Sequence, residues 1–124
     1  MLKLFFRKQN SVVTIDSKSV KVTWTAAANR RLLRRIKPLI VEMEMRYSCM
    51  PVKLVHFHDT SKWNNLTYVN DKLGIFFHAS ISGKVARNIS AVAAEDSSDV
   101  LTKPTPRQLF IDFRKGQWYG EFNL

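Results

Sequence analysis

Arg30, Arg31, Arg34, Arg35 and Lys37 place five cations within eight residues. Arginine grips phosphate through a planar, permanently charged fork, and residues spaced by three and four project from one helix face. Several phosphates of a polyanion could be held together by such a set. Lys3, Arg7, Lys8, Lys18 and Lys21 lie upstream and could extend the footprint. Up to Lys37 the chain has ten basic residues and one acid, Asp16; from Pro38 onward it has ten basic residues and nine acids. Nine of the ten net positive charges are therefore in the first 37 residues. A field this lopsided attracts a polyanion. The plain alternative is a solvated basic surface that keeps the protein soluble.

Histidine offers a second chemistry. His56, His58 and His78 are the three histidines of the chain. A His-x-His pair on a strand puts both imidazoles on one face, and a neighbouring strand can add a third. With Asp59 nearby, that arrangement suits a metal site or acid–base chemistry. The competing reading is structural, because His56 follows Val52 and Leu54 on its face as a core-edge residue would. We expect no metal centre, no cofactor and no catalytic residue from this pattern alone.

Aromatic residues are the third set. Phe5, Trp24, Trp63, Tyr68, Phe76, Trp118 and Tyr119 fall on or near strand patterns, and most suit a core. Tyr119 and Phe5 lie opposite the buried parity and are candidates for exposure. An exposed ring beside basic residues stacks on single-stranded bases. Ser82-Gly83-Lys84 lacks the spacing of a phosphate-binding loop, and zinc-finger and Gly-x-Ser-x-Gly spacings are absent. Cys49 is the one cysteine, which excludes an intramolecular disulfide and fits a reducing compartment.

The elements that must position these residues follow from periodicity. Leu2 to Phe6, Val12 to Ile15 and Val20 to Trp24 read as strands, with turns at Gln9-Asn10 and Asp16-Ser17-Lys18. A helix is expected from Thr25, its N-cap, through Ala26–Ala28 and on to Tyr47. On a wheel of about 100° per residue, Leu32, Leu33, Ile36, Leu39, Ile40, Met43 and Tyr47 share roughly a third of the circle. Arg30, Arg34 and Lys37 fall opposite, with Arg31 beside them and Arg35 nearer the apolar edge. Pro38 kinks or divides this helix. Beyond it, Val41 and Met45 continue the outer face as an apolar strip that a partner could cover.

Residues 52–57 read as a strand, Leu66 to Val69 and Leu73 to Ile81 as a hairpin, Gly83 to Ala94 as a second helix, and 107–123 as a last hairpin turning at Lys115-Gly116. The order is βββ-α-βββ-α-ββ. We expect one α+β domain spanning residues 1–124, with a largely antiparallel sheet and two helices on one face. At 45% hydrophobic and 24% charged residues the chain has material for a core. It shows no signal peptide and no membrane span, and reads as cytoplasmic.

Three functions follow as expectations. The first is a nucleic-acid-binding module, for RNA or single-stranded DNA, using Arg30, Arg31, Arg34, Arg35 and Lys37 with Arg7, Lys8 and Lys21. The second is a protein–protein adaptor or inhibitor that docks this basic face on an acidic partner, or forms a homodimer, with Val41 and Met45 as anchor. The third is a small nuclease using His56, His58 or His78 beside basic residues. The balance is against an enzyme.

Overall fold

The computed structural model describes residues 8–60, 65–81 and 105–124. Along them run β1 (Gln9–Ile15), β2 (Lys18–Trp24), α1 (Ala26–Leu33), β3 (Leu39–Tyr47), β4 (Val52–His58), β5 (Thr67–Asn70), β6 (Leu73–Ile81), β7 (Gln108–Arg114) and β8 (Gln117–Asn123). The expected strand at 2–6 and helix at 83–94 lie outside the described residues.

Turn chemistry fixes the hairpins. Asp16 and Ser17 between β1 and β2, and Lys115 and Gly116 between β7 and β8, all have positive φ. Two such residues in a row form the turn whose twist matches paired strands. Each hairpin then pairs through a second strand. The first sheet has the order β1-β2-β7-β8 and the second β4-β3-β6-β5. Both are two antiparallel hairpins joined by a parallel central pair, β2 with β7 and β3 with β6. The sheets are mixed rather than largely antiparallel, because the central strands are joined by long crossovers instead of tight turns.

The sheets pack face to face. Val20, Val22, Leu109, Ile111 and Phe122 from the first meet Val41, Met43, Leu73 and Ile75 from the second, all buried in one core. Gly120 on β8 permits the close approach: a Cβ there would lie 2.8 Å from Val55 Cγ1 and 3.0 Å from Phe57 Cζ. Trp118 stacks on Phe57 at 5.9 Å between ring centres, and Phe77 meets Phe122 edge-on at the same distance.

The expected long helix is corrected. Only Ala26–Leu33 is helical, and it is the one helix among the described residues. Thr25 caps it by accepting from the Ala28 amide at 3.1 Å, and Ala28 and Leu32 seat it on the core. It stops before Pro38, which biases its predecessor away from helical geometry. Residues 39–47 form β3 instead. Their pattern also has period two: Leu39, Val41, Met43 and Met45 face the core, while Ile40, Glu42, Glu44 and Arg46 lie on the other face, where Ile40 is nevertheless buried. Val41 is fully buried and Met45 nearly so, so the expected outer apolar strip does not exist. The two residues are core, and the adaptor reading loses its anchor.

Candidate functional site

Two outer sheet faces carry clustered charged, imidazole and aromatic side chains. On the second sheet, β3 lies between β4 and β6, and the register sets Glu42 beside His56, and Glu44 beside His78. The outward residues of three strands thus form one patch. All three histidines turn Nε2 toward the two carboxylates. His58 Nε2 lies 2.8 Å from one Glu42 oxygen, and His78 Nε2 hydrogen-bonds the other. His56 Nε2 lies 2.8 Å from Glu44 Oε1. The Ser80 hydroxyl donates to Glu44 Oε2, and Arg46 reaches both Glu44 oxygens at 3.3 Å.

Burial and charge are unequal across this patch. The Glu44 and Glu42 side chains are 8% and 13% exposed, whereas the imidazoles are between 31% and 39% exposed. The anions sit inside a rim of histidines. The Ser80 hydrogen bond holds the Glu44 carboxyl down to about 2; burial opposes it, and His56 and Arg46 support it. Burial pushes Glu42 up, but the hydrogen bonds from His58 and His78 outweigh it, so its carboxyl is also lowered. One oxygen from each glutamate and one His56 nitrogen lie within 4.8 Å of one another. That donor set can hold a divalent metal ion.

Strand spacing groups the three histidines, but helical periodicity puts Glu42 and Glu44 on a helix away from them. The signal for the glutamates was the strict alternation Val41-Glu42-Met43-Glu44-Met45. Asp59, the expected acidic neighbour, pairs with Arg35 at 2.7 Å instead.

The second face is the outside of the first sheet. Lys8 and Lys21 line an open groove of about 360 Å³ with Thr23, Gln108, Phe110 and Asn123. Lys8 Nζ lies 5.5 Å from the Phe110 ring centre. Phe110 meets Tyr119 edge-on at 6.5 Å, and the Arg114 guanidinium lies 4.1 Å above Tyr119. Cations thus flank two aromatic rings. Arg114 also binds Asp112 at 2.6 Å, and Asp112 accepts from the Thr25 hydroxyl at 2.5 Å. Glu121 accepts from the Tyr119 hydroxyl at 3.0 Å. The exposure expected of Tyr119 is observed.

The remaining basic residues do not converge on that groove as one face. Arg30 and Arg31 are exposed on α1, with Arg34 its C-cap. Arg31 lies 4.5 Å over the Phe113 ring. Arg35 is held by Asp59 and by the Lys37 carbonyl at 3.1 Å. Lys37 lines a small hollow with Ile40, Asp59 and Tyr68, at the edge of the other sheet. Arg7 lies outside the described residues. The helix ends at Leu33, so Arg35 and Lys37 cannot share its face.

Comparison with protein-family models, with curated proteins and with solved structures finds no match to this chain. No helix among the described residues is long and apolar enough to cross a membrane.

Proposed function

We propose that the protein binds single-stranded nucleic acid, RNA or DNA, across the outer face of its first sheet. The observation that carries this reading is the row Lys8–Phe110–Tyr119–Arg114, with Lys21 beside it. A β-sheet with outward aromatic rings offers flat surfaces on which unpaired bases stack, and every base has such a surface. Lys8 and Lys21 meet the phosphates between those bases, while Arg114, paired with Asp112, lies over Tyr119 and orders its ring. Thr23, Gln108 and Asn123 add neutral hydrogen-bonding groups to the groove floor. Arg30, Arg34 and Lys37 are exposed and supply further cationic surface, with no carboxylate paired to them among the described residues. A duplex suits this face less well, because its bases are already stacked and cannot reach the rings.

Fluorescence anisotropy with labelled oligo(dT) and oligo(U) tests the reading. Neutralising Z phosphates gives a log–log salt slope of about −0.7Z on a single strand. Lys8→Glu with Lys21→Glu should flatten that slope by roughly 1.4 and weaken binding on both oligomers. Phe110→Ala should weaken binding by about 1–3 kcal/mol with the slope unchanged. An absence of binding at low salt, or full affinity in the double lysine variant, refutes the proposal.

A further inference from the structure

The outer face of the second sheet holds a polar cluster that nucleic-acid binding does not use. Two carboxylates lie on the central strand, with imidazoles on both neighbouring strands. Carboxylates with so little exposure are costly to keep on a sheet unless something compensates them. Of the groups hydrogen-bonded to them among the described residues, only Arg46 carries a permanent charge. With neutral histidines, two anions and one guanidinium leave the cluster at −1. The three Nε2 atoms already point at the carboxylates, and the exposed imidazole rim leaves a way in.

We infer that Glu42, Glu44 and His56 bind one divalent transition-metal ion of the zinc class, with His58 and His78 holding Glu42 in position. Mixed imidazole and carboxylate donors suit Zn²⁺ and its first-row neighbours better than Mg²⁺ or Ca²⁺, which favour all-oxygen sets. The ion would take the Nε2 lone pair of His56, whose proton would move to Nδ1, and its two charges would offset the local −1. Ser80 holds the Glu44 oxygen that lies away from His56 and Arg46 bridges both oxygens, which fixes the carboxylate. Arg46 also repels an arriving cation, so it lowers affinity while ordering the ligand.

Calorimetric titration of Zn²⁺ into the full chain tests the site. Cys49 is exposed and a thiolate is itself a zinc ligand, so Cys49→Ser serves as the background. One ion should bind per chain with a dissociation constant of about micromolar. Glu42→Gln, Glu44→Gln and His56→Ala should each weaken it by at least about tenfold. Arg46→Gln should tighten it about threefold or more, a gain that a purely structural cluster would not give. All three histidines of the chain are in this cluster, so long-range ¹H–¹⁵N spectra of the folded chain read it directly, without need of a substituted ligand. Zinc should shift the His56 Nε2 resonance in the unsubstituted cluster. No saturable binding below about 1 mM, or bound zinc with His56 Nε2 unmoved, overturns the inference.

Discussion

Glu44→Gln removes a carboxylate whose ionisation the folded protein favours, and its cost should depend on pH in a calculable way. The Ser80 hydroxyl, helped by His56 and Arg46 and opposed by burial, holds this carboxyl at about 2, against 4.5 for the unstructured group. The folded value is the lower one, so the unfolded chain binds more protons between the two, and stability rises with pH there. The contribution is complete above about pH 5 and is lost as pH falls toward 2. A difference of this size corresponds to roughly 3 kcal/mol in full, most of which disappears between about pH 6 and pH 2.5. The side chain is only 8% exposed, so solvent screening takes little from that figure. Glutamine does not titrate. The stability gap between native and Glu44→Gln chains should therefore narrow by about 2–3 kcal/mol on acidification. Urea unfolding in EDTA-containing buffer at four pH values measures the gap free of metal. A gap that stays constant within about 0.5 kcal/mol over that range refutes the assignment of strong stabilisation to the Glu44 carboxylate.

Two further substitutions probe the fold that holds these faces. Gly120→Leu drives a side chain into Val55 and Phe57 where the sheets approach; it should destabilise by about 1–3 kcal/mol, seen as a lowered Tm, and an unchanged Tm would mean the sheets do not meet there. Val41→Glu puts a charge in the fully buried core; it should cost more than about 3 kcal/mol in denaturant unfolding, whereas a folded variant of native stability would return Val41 to the surface.

Much of the architecture was legible where a local rule decides it. Asp16-Ser17-Lys18 and Lys115-Gly116 read as turns because Asp, Ser and Gly favour them, although Lys18 already opens β2. Thr25 read as a cap because its hydroxyl oxygen can accept from the first free amides. Residues 39–47 were misread because two periods fit them. Leu39, Ile40, Met43 and Tyr47 satisfy a helical stripe, and Glu and Met are good helix formers. The same residues alternate as a strand, and the choice falls to tertiary pairing: β6 lies parallel to β3 along its whole length. No local signal encodes that partner, because the strands are joined through β4 and β5. The misreading also hid the cluster, since glutamates on a helix could not have been set beside His56 and His78.

The charge asymmetry takes a different form once the pairs are known. Position in sequence suggested a single cationic face, yet the structure divides it among a sheet groove, a short helix and the segment before β3. What concentrates the field is neutralisation elsewhere. Asp59 is matched by Arg35, Asp112 by Arg114, and Glu44 by Arg46. These acids are thereby removed from the long-range balance, and each takes one arginine with it. Lys8, Lys21, Arg30, Arg34 and Lys37, like Lys53, Arg107 and Lys115, have no such carboxylate among the described residues, so together they set the potential a distant polyanion meets. Arg35, the most buried of Arg30, Arg31, Arg34 and Arg35, belongs to structure rather than to binding. Reversing Arg35 should therefore loosen the segment before β3 and leave the salt slope of oligonucleotide binding nearly unchanged. Reversing Lys21 should do the opposite. Equal effects of the two reversals on that slope would show that sequence position, and not pairing, decides which cations bind.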